Sequence, residues 1–283
     1  MVDLIPPLTT VRAELIVKEI STEGSRPLRV LANDGNEYIA KTTGANSCVE
    51  VINEVLCGYL ARCWGLAVPP FSLVQISQPV VDAYERQRGR LSERYRNCPF
   101  EDRLFFGSRV VSSQVEIDVF FAGPHHPAQM QLFHQPLDLL KIGVFDQWVG
   151  NFDRKPDNPN LLLTSRPDGT FDFCPIDHTA TFAYLENYRD VRDALLIREP
   201  KKWLLSHRFV PAIVKFTPPQ AISSLQDEIR SGMDLALTAL DSIFAEVPVA
   251  WGLSRKAKEH LKQFFADRVR NERIASTYLN YLH

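Results

Sequence analysis

The stretch from Trp148 to Phe182 narrows the folds open to this chain more than any other. A helix has to end at Gly150-Asn151, the polar loop Phe152-Asp153-Arg154-Lys155-Pro156-Asp157-Asn158-Pro159-Asn160 follows, and two short strands then fold back on each other. Leu161-Leu162-Leu163 and Phe171 to Ile176 read as those strands, with Ser165 to Thr170 between them carrying Pro167-Asp168-Gly169. Antiparallel return brings Asp177 to the open end of the hairpin beside Asn158. Pro156 and Pro159 stiffen the loop, and a buried helix over Leu137 to Val149 anchors its start. Asp153, Asn158 and Asp177 are thereby expected to converge from separate positions.

Carboxylate and amide oxygens are what a hard Mg²⁺ ion takes, and a rigidly held loop carboxylate near an incoming hydroxyl can accept its proton. That layout points to phosphoryl transfer, with Asp153 as the catalytic Asp and Asn158 and Asp177 as metal ligands. Asn160 is the alternative to Asn158. A plain polar turn, with Asp153 capping the loop or pairing with Arg154, would explain the loop alone; it leaves the hairpin and the returning Ile176-Asp177-His178 without a reason. His178 is expected to support the site structurally.

A second group of residues precedes it. Val11 to Ile20 alternates as a strand does, and Leu28 to Ala32 with Tyr38 to Thr42 forms a hairpin turned by Asn33-Asp34-Gly35-Asn36. Residues two apart in a strand share a face, so Ile39 and Lys41 point together, an apolar side chain to lie against a purine and a cation to reach phosphate oxygens. Ser47-x-x-Glu50 reads as a capping box opening a helix that Gly65 stops. Within that helix Glu54 is flanked by Val51, Ile52, Val55 and Leu56, where a carboxylate needs a partner. Lys41 is the expected one, with Glu50, one turn earlier, as the rival acid. No G-x-G-x-x-G and no G-x-x-x-x-G-K-[ST] occurs, so the candidate phosphate loop is Ser21 to Pro27, where Gly24 frees the backbone and Ser25 and Arg26 offer donors.

Composition narrows the remaining classes. The 283 residues are 45% hydrophobic and 23% charged, enough for a full core, and the net charge of −2 gives no reason to expect direct nucleic-acid binding. The five cysteines form no C-x-x-C pair and read as buried reduced thiols. No apolar run is long enough to insert into a membrane and the N-terminus does not resemble a signal peptide, so a cytoplasmic location is expected. From Gln78 the composition turns charged and helical. This places a domain boundary there, with 1–77 a small β-rich unit with one main helix and 78–283 a larger, mostly helical one. Helices are expected over Ser223 to Phe244 and across Arg255 to Leu279. The basic face of the latter packs its apolar stripe on the core, or alternatively docks an acidic regulatory protein partner. His125-His126 with His134 reads as a surface loop.

Taken together these residues resemble the HipA-like kinase family. The resemblance runs through Tyr38-Ile39-Ala40-Lys41, Asn53-Glu54 with Leu60-Ala61-Arg62, Gly65-Leu66-Ala67-Val68-Pro69, Gly150 to Leu163, and Pro175-Ile176-Asp177-His178. It implies an α+β, bilobal protein-kinase-like fold using ATP and Mg²⁺, with Lys41 binding phosphate, Asp153 catalytic, Asn158 and Asp177 on the metal, and a protein Ser/Thr hydroxyl as acceptor. A small molecule or lipid head group, served by Lys201-Lys202 and Arg208, is the alternative acceptor, and a nucleotide-binding pseudokinase the non-enzymatic one. HipA toxins also carry an N-terminal subdomain and a serine-bearing phosphate loop that this sequence does not closely match, so toxin activity is not carried over.

Overall fold

The computed structural model describes residues 5–21, 26–42, 48–111, 114–117, 127–184, 188 and 203–282. Its N-terminal part is a five-stranded closed barrel of β1 (Thr10–Glu19), β2 (Leu28–Ala32), β3 (Glu37–Lys41), β4 (Phe71–Gln75) and β5 (Leu104–Arg109). Strand alternation makes it: Val11, Ala13, Ile16, Val30, Tyr38, Ala40, Val74 and Phe105 turn inward and form a core of their own. The β2–β3 turn is the expected one, with Gly35 at φ +77° and the Asn36 N–H donating to Asp34 Oδ1 (3.0 Å). β1 runs parallel to β4 and β5 pairs with both β3 and β4, so no edge is left open.

The fifth strand comes from beyond the division expected after residue 77. Leu104–Arg109 lies well past it and completes the sheet, while the charged connection between β4 and β5 folds onto the barrel. That connection holds α2 (Gln78–Arg88) and two 3₁₀ turns, whose Val81, Tyr95 and Phe100 join the barrel core. Gly107 of β5 is required by close approach. A Cβ there would stand 2.4 Å from Val74 Cγ2 and 3.2 Å from the Ser72 carbonyl oxygen. Gly107→Ala is expected to cost about 1–3 kcal/mol of overpacking, read as a lowered melting midpoint.

Helix α1 (Val49–Cys63) is buried on nearly every side, because one face meets the barrel and the rest packs into the larger core with the C-terminal helices. Its N-cap is Cys48, which makes no side-chain cap; Ser47 of the expected capping box lies outside the described residues. Gly65, at φ +70°, ends the helix as expected, and Trp64 meets Phe145 edge-on and lies tilted against Trp148. After the short strand β6 (Gln114–Glu116) and the turn of helix α3 (Pro127–Met130) comes α4 (Asp138–Val149), buried throughout, and then the β7 (Leu161–Ser165) and β8 (Phe171–Pro175) hairpin. Helices α5 (Val210–Phe216), α6 (Pro219–Glu246), α7 (Arg255–Ala266) and α8 (Arg268–Ala275) close the core. The break between α7 and α8 falls at Asp267, whose side chain caps α8 by accepting from the Arg270 N–H (3.0 Å). The architecture is thus mixed α+β, β-rich at its N-terminal end and helical at its C-terminal end. Among the described residues no helix is long and apolar enough to cross a membrane.

Candidate active site

A cleft of about 970 Å³ takes Ile39, Lys41 and Glu54 from one wall and Asp153, Asn158 and Asp177 from the other. Six of the eight residues singled out from the sequence therefore meet in one place. Gly24 and Ser25 lie outside the described residues. So do His125, His126, Lys201 and Lys202.

Strand geometry puts Tyr38 and Ala40 inside the barrel and leaves Ile39 and Lys41 on the cleft side. Lys41 Nζ donates to Glu54 Oε1 at 2.7 Å and lies 3.0 Å from Asp177 Oδ1. Burial acts to strip the lysine of its proton, but the two carboxylates outweigh it and hold the ammonium well above its ordinary range. Burial likewise opposes the Glu54 carboxylate, and Lys41 together with His178 reverses this, drawing Glu54 down to about 2. Glu50 is not the partner. It faces Arg94 at 3.6 Å, and its burial pushes its own pKa upward.

The Glu54 shift has a consequence for stability. An acid drawn down to about 2 from an ordinary 4.5 contributes stability that is complete above pH 4.5 and is lost as pH falls from there toward 2. Glu54→Gln is expected to flatten that part of the acid-unfolding profile. A profile of unchanged slope between those limits would show that the pair does not form.

The Asp153 loop is built from α4 outward. Gly150 leaves the helix in the left-handed conformation at φ +65°, and the Asn151 N–H donates to the Asp146 carbonyl (2.8 Å). The side-chain oxygen of Asn151 accepts from the Asp153 N–H (3.2 Å). Asn158 Nδ2 and Asn160 Nδ2 both donate to Asp153 Oδ2, at 3.2 and 3.3 Å. Two amides on one carboxylate oxygen fix the group and leave Oδ1 without a partner among the described residues.

Arg154 is the residue that sequence reasoning missed. It is completely buried, pairs through Nε with Asp146 Oδ2 (2.9 Å), and donates from Nη1 to the carbonyl oxygens of Pro159 (3.3 Å), Asn160 and Ile176 (3.0 Å). One guanidinium thus ties the loop after Asp153 to the residue before Asp177. Full burial pushes the Asp146 carboxyl up to about 6, against the pull of Arg154. An acid in the middle of an apolar helix was the available signal, since such a group needs a buried cation.

Asp177 itself sits at φ +58°, a conformation that a non-glycine residue holds at a cost of about 1 kcal/mol or more. Its surroundings impose it. His178 donates its N–H to Glu54 Oε2 (3.1 Å), and Asn53 Nδ2 donates to the carbonyls of Thr179 (3.0 Å) and Thr181 (3.1 Å). Consecutive residues of α1 therefore hold the segment on either side of Thr179. Thr179 Oγ1 donates to Asp177 Oδ1 (2.8 Å), so Lys41 and Thr179 share that oxygen, and Oδ2 has no partner among the described residues. His178 packs edge-on against Phe145, and burial lowers its pKa.

Among the described residues no group of three or more His, Cys, Asp or Glu could hold a metal. A Mg²⁺ ion that arrives with phosphate needs only one or two protein ligands, and the Asp177 carboxylate and Asn158 amide, which line the same cleft, fit that smaller requirement in kind. Asn158 turns its Nδ2 toward Asp153, which leaves its amide oxygen as the atom available to a cation.

A family model described as HipA-like kinase matches residues 14–277. No curated protein is similar enough in sequence to count as a relative. Among solved structures, the Helicobacter pylori proinflammatory kinase CtkA has a similar fold, with a TM-score of 0.56 at 13% identity over 98% of each chain.

Proposed function

Because the chain belongs to the HipA-like kinase family, we propose that it is an ATP- and Mg²⁺-dependent kinase that transfers the γ-phosphoryl group of ATP to a Ser or Thr hydroxyl of a protein. The observation that carries this reading is the meeting of Asp153, Asn158, Asp177 and the Lys41–Glu54 pair on one cleft. In this reading the barrel with α2 is the small lobe, the α1 helix links it to the larger lobe, and the cleft between them takes the nucleotide. The division then falls after Arg109.

The base lies against Ile39 on the barrel wall, and Lys41, held by Glu54, grips phosphate oxygens. Asp153 Oδ1, the oxygen not taken by the two amides, accepts the proton of the acceptor hydroxyl as its oxygen bonds to the γ-phosphorus. The bond from that phosphorus to the bridging oxygen breaks, and its electron pair leaves with ADP. Asn158 and Asp177 would hold Mg²⁺, whose contribution when bound is to neutralise charge gathering on the phosphate oxygens. The protein acceptor is what the family resemblance implies.

Incubation with γ-labelled ATP, alone and with cell extract, followed by mass spectrometry is the test. Label on Ser or Thr of a protein supports the reading; label on a small molecule or lipid moves the acceptor to that class, and nucleotide binding without transfer makes the chain a pseudokinase. Asp177→Asn is expected to weaken binding of Mg·ATP by about 10-fold or more while sparing metal-free nucleotide, since each tenfold is about 1.4 kcal/mol of lost coordination. Titration calorimetry with and without Mg²⁺ measures both, and equal losses in the two would place the metal elsewhere.

A further inference from the structure

The connection between β4 and β5 delivers one arginine into the cleft. Arg94, in the 3₁₀ turn Glu93–Tyr95, donates from Nη2 to the carbonyl oxygen of Thr42 (2.9 Å), the residue directly after Lys41. The same nitrogen is 3.6 Å from Glu50 Oε2, too far for a hydrogen bond, and Arg94 Nε is buried with no partner among the described residues. A guanidinium carries five N–H donors in a planar fork. One hydrogen bond leaves most of that fork unused where the cleft also holds Lys41 and Asp177.

The same connection braces the β1–β2 turn. Tyr95 Oη donates to the Arg26 carbonyl (2.7 Å), the Ser92 N–H donates to Glu19 Oε2 (3.0 Å), and the Glu19 N–H donates to Tyr84 Oη (3.3 Å). Ile20 and Pro27, on either side of that turn, line the cleft. Arg94 therefore stands on a fixed platform that joins the end of β3 to the turn between the first two strands.

We propose that Arg94 is a second phosphate-binding cation, acting with Lys41 on the polyphosphate of the bound nucleotide; this rests on the kinase reading above. Lys41 is already matched by Glu54, so its charge alone does not balance a triphosphate, and the sequence has no glycine-rich phosphate loop to do so. An arginine fork suits phosphate oxygens in a way a point charge does not. The long Arg94–Glu50 contact yields to a phosphate that can take the donors still open.

The test compares wild type, Arg94→Gln, Arg94→Lys and Glu50→Gln by titration calorimetry with Mg·ATP and with adenosine, each variant first checked for a cooperative melt. Arg94→Gln is expected to weaken Mg·ATP roughly 10–100-fold, the scale of charge-assisted hydrogen bonds, with adenosine affinity unchanged. Arg94→Lys keeps the charge, loses the fork and falls between. Glu50→Gln binds Mg·ATP at least as tightly as wild type. Wild-type affinity in Arg94→Gln, equal loss for adenosine, or a matching loss in Glu50→Gln would each overturn the inference and leave the kinase reading standing. Wild-type protein that binds no Mg·ATP would overturn both. If Arg94→Gln does not fold, Arg94→Lys decides: unchanged Mg·ATP affinity there overturns the fork, and a selective loss supports it.

Discussion

Asp153→Ala is expected to slow phosphoryl transfer by roughly 10²–10⁴-fold at saturating ATP, the range for losing a positioned general base. The effect should fall on kcat, with the KM for ATP little changed, because in the proposed mechanism Asp153 faces the acceptor while Lys41 and the Asn158–Asp177 pair grip the nucleotide. Asp153→Asn sharpens the test. It keeps the size of the side chain and hydrogen-bonding capacity toward Asn158 and Asn160 but cannot take a proton, so it should be as slow as the alanine variant. An asparagine variant near wild-type rate would mean that Asp153 only shapes the loop. A raised KM for ATP in both variants would mean that it holds the nucleotide.

Much of this site could be read from the sequence because its geometry is local. Alternation of two residues sets Ile39 and Lys41 on one face; Asn33-Asp34-Gly35-Asn36 fixes a turn; the β7–β8 hairpin brings Asp177 back beside Asn160, whose carbonyl accepts the Ile176 N–H (3.0 Å). Each of these relations closes over a short stretch of chain. The fifth barrel strand was not legible in the same way. Leu104 to Arg109 reads from the sequence only as part of an apolar stretch, and its partners β3 and β4 lie across a charged helical connection that looks from composition like the start of another domain. The choice of Glu54 over Glu50 as the partner of Lys41 rests in the sequence on the apolar flanks of Glu54 alone, since one helical turn separates the two acids and both line the cleft. Only packing decides it. Glu54 lies at 3% exposure with Lys41 and the His178 amide on it, and Glu50 is taken up by Arg94.

The same contrast between local pattern and distant packing gives the second large effect, at Arg154. From the sequence Arg154 offers itself only as a partner for Asp153 in a polar turn, yet it is 0% exposed and pairs with an equally buried Asp146. Arg154→Met is expected to cost about 3–5 kcal/mol, because the carboxylate of Asp146 stays in the core with its partner gone. The double variant Asp146→Leu/Arg154→Met should recover much of that loss, since two apolar groups need no pairing. The pH dependence follows in sign. Asp146 is already raised to about 6 with Arg154 present, and without it the folded state holds the proton more tightly still. A group whose folded pKa lies above its unfolded one favours the fold at low pH and loses that contribution as pH rises. Arg154→Met should therefore be hurt more at pH 8 than at pH 5 in denaturant unfolding. Equal losses at the two values would show that Asp146 does not sense the missing cation. Transfer by the double variant then asks a separate question: if it folds but stays slow, Arg154 acts by tying the carbonyls of Asn160 and Ile176 together and so setting the distance between Asp153 and Asp177, beyond neutralising a buried acid.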